Sequence, residues 1–375
     1  MSSTEAITLA AGCRADCNGC AHRALSAPAS EAQKADWLAR ALSPWREVLA
    51  PMRGVHGAAR WGYRERVALS AQWTADGDAP GEWRIGLMRR DQVIDIRDCP
   101  VHSPRVRQSL AALLRVLPPA ARFPLAFYVQ AGAQLTLVLK TAQAPDTAWL
   151  DAGTVQALQR AGVEGLWLML FPSAGRRLFH KNGWRLLWGE PYSADEAGMR
   201  YGPSAFQQLI PALYEQSVDA AQAFLAPRAG SCLVDLYCGS GRTLRRWQAA
   251  GAQVLGVEIG AEAVACAAHN APGVPVLRGP CAQRLPQLRE WQAATAGERL
   301  LYVNPPRTGL EPEVLDWVCE DYRPRRMVYL SCSAGTLSRD LQRLCAAGYM
   351  VERLQPYDFF PQTWHVECQA LLRRG

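Results

Sequence analysis

From Pro203 onward, short apolar runs alternate with stretches of helical period. Cys232–Tyr237, Val254–Glu258, Leu300–Val303, Met327–Leu330 and Ala370–Arg373 are brief, apolar and bounded by glycine, proline, serine or asparagine, which predicts buried strands. Arg242–Ala250 and Ala261–Asn270 between them have helical spacing, and Phe206–Phe224 predicts a longer helix. This alternation predicts a doubly wound, Rossmann-like α/β domain over 196–375. The earlier chain reads differently. Glu31–Leu49 predicts a helix, with Trp37, Leu38, Leu42 and Trp45 at helical spacing. Strands are expected near 64–73, 83–88 and 92–96, with turn signals at Asp76-Gly77-Asp78 and Pro80-Gly81. Ser103–Leu117 predicts a helix stopped by Pro118-Pro119, and Thr154–Ala161 another. Phe127–Val129, Leu135–Leu139, Leu166–Phe171 and Trp184–Trp188 read as strands. The expected division is an N-terminal region with a β-rich segment (1–105), an α+β central region (106–195) and the α/β domain (196–375).

Composition adds modest constraints. Lysine and arginine number 41 against 34 acidic residues, a net charge of +7. The only lysines are Lys34, Lys140 and Lys181. Arginine suits phosphate contact and stacking on bases, although GC-rich coding produces the same bias. Tyr63-Arg64-x-Arg66 and Arg89-Arg90 are candidate phosphate contacts. Twelve cysteines in 375 residues do not describe a secreted disulfide scaffold. The chain shows neither a signal peptide nor a run of 18 apolar residues, so a soluble cytoplasmic protein with reduced thiols is expected.

Cys13-x-x-x-Cys17-x-x-Cys20 lies in a stretch without a core pattern, and Cys99 is the only further cysteine before Cys232. Cysteines this close share a metal or a cluster, and cysteine followed by proline, as in Cys99-Pro100, recurs at cluster sites. Cys13, Cys17, Cys20 and Cys99 are the candidate ligands of one [4Fe–4S] cluster, with zinc as the alternative. The spacing also matches the radical S-adenosylmethionine signature. Gly19 before the third cysteine and the absence of a barrel pattern weigh against it.

The chemistry concentrates near the C-terminus. The run Met327–Leu330 delivers Cys332 to a strand end, the edge at which open α/β sheets bind ligands. A thiol there is a candidate nucleophile. Asp235-x-x-x-Gly239-x-Gly241 sits between a predicted strand and helix, and Glu258 ends the next strand 23 positions after Asp235. Glycines allow the sharp turn, and the carboxylate can accept ribose hydroxyls. Position 244 is Leu rather than the third glycine of a pyrophosphate cradle, which favours S-adenosylmethionine over a dinucleotide. Asn304-Pro305-Pro306-Arg307 forms a stiff loop after another strand. Arg307, where amine-directed enzymes place an aromatic, argues against an amino-group target.

Together these residues resemble the RNA uracil-C5 methyltransferase family over roughly 200–375. The matching segments are Ser204-x-Phe206-Gln207, Asp235-Leu-Tyr237-Cys238-Gly239-x-Gly241, Asn304-Pro-Pro-Arg-x-Gly309, Tyr329-x-Ser331-Cys332, and Phe360-Pro361-x-Thr363-x-His365-Val366-Glu367. The N-terminal cysteines, Asn304 and the chain length resemble the 23S rRNA (uracil-747-C5)-methyltransferase branch best. The resemblance implies that Gln207, Tyr237, Glu258 and Asn304 contact S-adenosylmethionine. It implies Cys332 as nucleophile, Glu367 as base, and a flipped-out uridine of 23S rRNA as substrate. The same chemistry on tRNA, or a non-catalytic RNA-binding assembly factor, is the alternative. Leu209 stands where the family usually has asparagine, and Ser333-Ala334 where many members have Asn-Pro. The fold so implied is a methyltransferase domain preceded by an α+β, cluster-bearing region.

Overall fold

A computed structural model describes residues 9–75 and 81–375. The Asp76-Gly77-Asp78 turn signal and the first eight residues, on which the expected absence of a leader partly falls, lie outside them. The chain divides into two units. One comprises Met1–Leu25, His56–Asp195 and Tyr201–Leu209; the other comprises Ser26–Val55, Glu196–Arg200 and Ile210–Gly375. The first helix, α1 (Ala27–Ala41), therefore belongs to the second unit. Pro44 then turns the chain into a 3₁₀ segment, Ser43–Val48, where the sequence predicts one helix to Leu49.

The first unit is built on a seven-stranded sheet. Its strands are β1 (Arg66–Thr74), β2 (Glu82–Arg89), β3 (Gln92–Asp95), β4 (Leu125–Ala131), β5 (Gln134–Leu139), β6 (Gly165–Leu170) and β7 (Trp184–Gly189), in the order β3-β2-β1-β4-β5-β6-β7. Only β5 and β6 run parallel. The helices α2 (Pro104–Leu114) and α3 (Ala152–Arg160) begin at Ser103 and Asp151, whose side chains accept from Val106 N and Thr154 N. Their buried residues Leu110, Leu113 and Leu158 join Val67, Leu69, Leu135 and Leu166 in one core. The boundary expected at residue 105 is not one between units. β1 pairs with β4 from Arg66↔Ala131 to Ser70↔Phe127, a long-range registration that local pattern cannot reveal.

Two-residue strands, β8 (Ser193–Ala194) and β9 (Arg200–Tyr201), fall where the chain passes between units. In the second unit, helix α4 (Pro211–Leu225) opens at a proline. Proline lacks the N–H that a helix interior requires and fits its first turn, which is why the helix does not start at Phe206 as expected. The strands are β10 (Ser231–Leu236), β11 (Gln253–Glu258), β12 (Val276–Arg278), β13 (Glu298–Val303), β14 (Arg326–Ser331), β15 (Tyr349–Tyr357) and β16 (Glu367–Arg374), in the order β12-β11-β10-β13-β14-β16-β15. Around them pack α5 (Arg242–Ala249), α6 (Ala261–Asn270), α7 (Leu285–Ala294), α8 (Pro312–Asp316) and α9 (Ala334–Ala346). The order reverses between β10 and β13, so ligands are expected at the carboxyl edge there. β10 to β14 are parallel, whereas β16 is antiparallel to β14. The beginning of β16 therefore lies at the same edge as the ends of the parallel strands. Among the described residues no helix is long and apolar enough to cross a membrane.

Candidate active site

That edge of the second unit collects most of the candidate residues. Asp235 near the end of β10 is wholly buried, and its Oδ2 accepts from Trp247 Nε1 at 2.8 Å. Burial raises its carboxyl to about 7. It is thus part of the scaffold beneath the turn. Tyr237 follows with φ +62°, then Gly239 and Gly241 at +55° and +85°. A Cβ at Gly241 would meet Ala267 at 3.0 Å, so glycine is needed for close approach of α6 as well as for its φ. Asn270 at the end of α6 donates to Ser240 O at 2.8 Å and fixes the turn from behind.

Glu258 ends β11 and reaches into this turn. Its Oε2 accepts from Gly239 N at 3.0 Å and its Oε1 from Gly260 N at 2.7 Å. Each carboxylate oxygen keeps a further acceptor site for a hydroxyl. The Tyr237 hydroxyl donates to Glu311, a partner sequence reading missed although it lies in the loop after Asn304-Pro-Pro-Arg307. Burial and the neighbouring Cys281 and Glu311 hold that phenol far above its ordinary value, so it stays a donor. Asn304 sits at the end of β13, half-buried, with its N–H on Leu236 O at 3.4 Å. Gln207 lies in the first unit, half-buried beside exposed Phe206. The glycine turn, the carboxylate with free acceptor sites and the stiff Asn304 loop form one edge suited to a nucleoside.

Cys332 follows β14 directly. Register pairs Ser331 with Cys368, so Cys332 follows the last pair on one strand and Glu367, the first residue of β16, precedes it on the other, close enough for its charge to act on the thiol. Glu367 is 4 % exposed and Cys332 is half-buried. Burial and then the Glu367 charge push the Cys332 thiol up from its ordinary value. Arg307 opposes both, as a nearby positive charge and as a hydrogen-bond donor to the sulfur. Arg307 Nη2 also lies 3.5 Å from His365 Nε2. Arg307, taken from the sequence only as evidence against an amino-group target, thus stands beside the thiol.

Two supports were not foreseen. Asp340 on α9, wholly buried, accepts from Leu310 N at 3.1 Å and Tyr329 hydroxyl at 2.8 Å. It fastens the 304–310 loop to β14. Thr336 adds a bond to Arg307 O at 2.9 Å. The second support is Lys34 of α1, whose Nζ lies 2.6 Å from Asp358 Oδ1.

The four N-terminal cysteines fall in the first unit, all partly exposed. Burial and then the Cys99 charge raise the Cys20 thiol to about 11, with Cys17 and Cys13 adding to it. Burial also raises Cys99, against backbone N–H bonds that lower it; Cys17 and Cys13 push it further up. The sulfurs are thus near enough to feel one another. Among the described residues, however, no set of three or more His, Cys, Asp or Glu side chains stands closed around a metal position. Arg66, a candidate phosphate contact, is partly exposed, and its Nε donates to Ala205 O at 2.9 Å.

Residues 287–375 match the family model described as tRNA (Uracil-5-)-methyltransferase. An uncharacterized RNA methyltransferase of Thermosynechococcus vestitus is 34% identical over 334 residues, covering 83% of this chain and 72% of the relative. The 23S rRNA (uracil(1939)-C(5))-methyltransferase RlmD of Thiobacillus denitrificans is 32% identical over 375 residues, covering 96% and 83%. The crystal structure of Pyrococcus abyssi tRNA (uracil-54, C5)-methyltransferase with S-adenosyl-L-homocysteine superposes with a TM-score of 0.71 at 20% identity, over 95% of this chain and 86% of the other. That likeness shows the Rossmann-like methyltransferase fold. The Thiobacillus relative is named for uracil 1939, where the sequence resemblance pointed to the uracil-747 branch. With likeness running through nearly its whole length, this chain belongs to the RNA uracil-C5 methyltransferase family and is an enzyme of it.

Proposed function

We propose that this enzyme methylates C5 of a uracil in 23S rRNA through a covalent adduct at Cys332, with Glu367 as base. The observation that carries the reading is the pairing of β14 with β16, which sets a half-buried thiol against a buried carboxylate at the carboxyl edge of the sheet.

Uracil C5 is a poor nucleophile. Addition of the Cys332 thiolate to C6 places negative charge on C5 and O4, dividing one hard step into easier ones. Arg307 stabilises the thiolate against burial and the Glu367 charge. S-adenosylmethionine, when bound, supplies the methyl group that C5 takes up. Glu258 would hold its ribose hydroxyls, with Tyr237 and Asn304 as further contacts. Glu367 then accepts the C5 proton as the C–H electron pair reforms the C5=C6 double bond and the C6–S bond breaks, expelling the Cys332 thiolate. Trp364, three residues before Glu367, is 51 % exposed, and its ring lies 4.4 Å from that of His365. Flat rings there suit an unpaired RNA loop, since C6 of a stacked, paired uracil is hidden.

For the first unit, we infer that Cys13, Cys17, Cys20 and Cys99 close on a [4Fe–4S] cluster. Thiols that raise one another's pKa gain from a cation that takes them as thiolates. The cluster would hold the 9–25 segment against the sheet of that unit. It has no part in the methyl-transfer steps.

The test is mass-spectrometric mapping of 5-methyluridine in 23S rRNA from cells with and without the gene. Loss of one 5-methyluridine, at 747, 1939 or another uridine, is expected. Unchanged rRNA with a missing tRNA methyluridine would replace the substrate.

A further inference from the structure

We propose that Lys34 is a positioning residue for proton abstraction, acting from α1 through the 358–366 loop on Glu367. The inference rests on Glu367 being the base.

Lys34 is the one buried lysine of the chain's three, with a side chain wholly removed from solvent. It lies on the inward stripe of α1, with Ser30 and Leu38. Its Nζ contacts Asp358 Oδ1 at 2.6 Å and donates to Phe360 O at 3.0 Å. The same Asp358 oxygen accepts from Phe360 N at 3.2 Å. Phe360 O accepts again from Thr363 N at 2.9 Å and Thr363 Oγ1 at 3.1 Å. Thr363 Oγ1 in turn accepts from His365 N at 3.1 Å. Ser30 Oγ donates to Pro361 O at 3.4 Å. One ladder of hydrogen bonds thus runs from α1 to His365, two residues before Glu367.

The segment that follows α1 is tied to β15 and to the start of the same loop. Ala50 N donates to Leu354 O, Arg53 N to Pro356 O, and Asp358 N to Arg53 O at 2.7 Å. Residues 26–55 therefore brace β15 and the loop beyond it within the second unit. Burying an ammonium and a carboxylate costs several kcal/mol of desolvation, and well-packed apolar residues often replace such pairs without loss of stability. What an apolar pair cannot do is bond a carbonyl in the middle of a tight loop. The ammonium fixes Phe360 O, and with it the turn that aims β16 at the thiol. Misplacing a catalytic group by about 1 Å can cost on the order of a hundredfold in rate.

A displaced base impairs only the second half of the reaction. Addition of Cys332 proceeds, elimination stalls, and covalent enzyme–RNA accumulates. A purely structural role would lower the melting temperature and turnover without that accumulation. The experiment incubates Lys34→Met with unmodified 23S rRNA transcript and S-adenosylmethionine, below the variant's unfolding temperature. Turnover and the covalent fraction on a denaturing gel are both read. Turnover is expected to fall roughly 10- to 100-fold while the covalent fraction rises severalfold and S-adenosylhomocysteine affinity holds. Turnover lost without adduct, or unchanged, overturns the proposal. Thr363→Val removes the hydroxyl that links Phe360 O to His365 N, keeps the Thr363 N bond and leaves the buried pair intact; it is expected to show the same signature in milder form. If Lys34→Met does not fold, Thr363→Val alone decides. Glu367→Gln is the control. If it traps adduct and neither variant does, this inference alone fails; if it traps none, the assignment of the base fails and this inference with it.

Discussion

Asp340 gives the sharpest test of how the site is held. Its Oδ2 is the acceptor for Leu310 N and the Tyr329 hydroxyl, and its Oδ1 faces Arg339 Nε at 2.8 Å. Replacing it with alanine leaves the first two donors buried without a partner. Each such loss costs about 1–3 kcal/mol, so Asp340→Ala is expected to lose roughly 3–5 kcal/mol. The Arg339 contribution is small, about 0–1 kcal/mol, because that side chain is half exposed. Asp340→Asn can still offer its oxygen to Leu310 and Tyr329 and gives up only the ion pair, so roughly 1 kcal/mol is expected. Tyr329 cannot compensate by ionising, since burial, the largest cause and one that the substitution leaves in place, holds its phenol above the ordinary range. Chemical denaturation followed by tryptophan fluorescence reads the stability. Calorimetric titration with S-adenosylhomocysteine reads the 304–310 loop, and affinity should weaken about tenfold in the alanine variant, equal to 1.4 kcal/mol. Asp340→Ala within about 1 kcal/mol of the parent, or Asp340→Asn as damaging as alanine, would refute the reasoning.

Further outcomes follow from the same geometry. The Cys332 thiol is raised by burial and Glu367 and lowered by Arg307, so adduct formation should quicken as pH rises, and Arg307→Met should move that rise to higher pH; a pH–rate profile left in place would contradict it. Asp235, raised to about 7, binds its proton in the folded state at pH values where the unfolded chain has lost it. Stability should therefore fall as pH climbs from about 4 to about 7, by up to about 1.4 kcal/mol per pH unit, and Asp235→Asn should flatten that slope. Protein purified without oxygen should be brown with roughly four irons per chain, and Cys99→Ser should bleach it without changing S-adenosylhomocysteine affinity; colourless protein carrying zinc would remove the cluster.

The strand ends were the legible part of this sequence. Apolar runs closed by Gly239, Asn304 and Ser331 located the ends of β10, β13 and β14 closely, because a buried parallel strand must be apolar throughout and must stop at a turn. The side chains that hold those ends were not legible. Asp340 reads locally as a polar helix residue, and its meaning comes from Leu310 and Tyr329, distant in sequence. Lys34 reads as the solvated face of a helix; Asp358 turns it inward from 324 positions away. Arg66 gives no local sign that its Nε is bonded to Ala205 O, 139 positions away. β15 escaped notice because Pro356 and the charged Glu352 and Arg353 interrupt its run, yet β16 covers it along most of its length. Strand pairing between β1 and β4, across the expected boundary at residue 105, likewise leaves no local trace.

The central claim is that a sulfur and a carboxylate share one uracil. The most direct measurement is intact-mass analysis of Glu367→Gln after incubation with unmodified 23S rRNA transcript and S-adenosylmethionine, followed by nuclease digestion and peptide mapping. The account predicts a methylated uridine still attached to the peptide containing Cys332, absent from Cys332→Ala/Glu367→Gln. Free methylated RNA with no protein-bound nucleotide, or attachment at another cysteine, would contradict it.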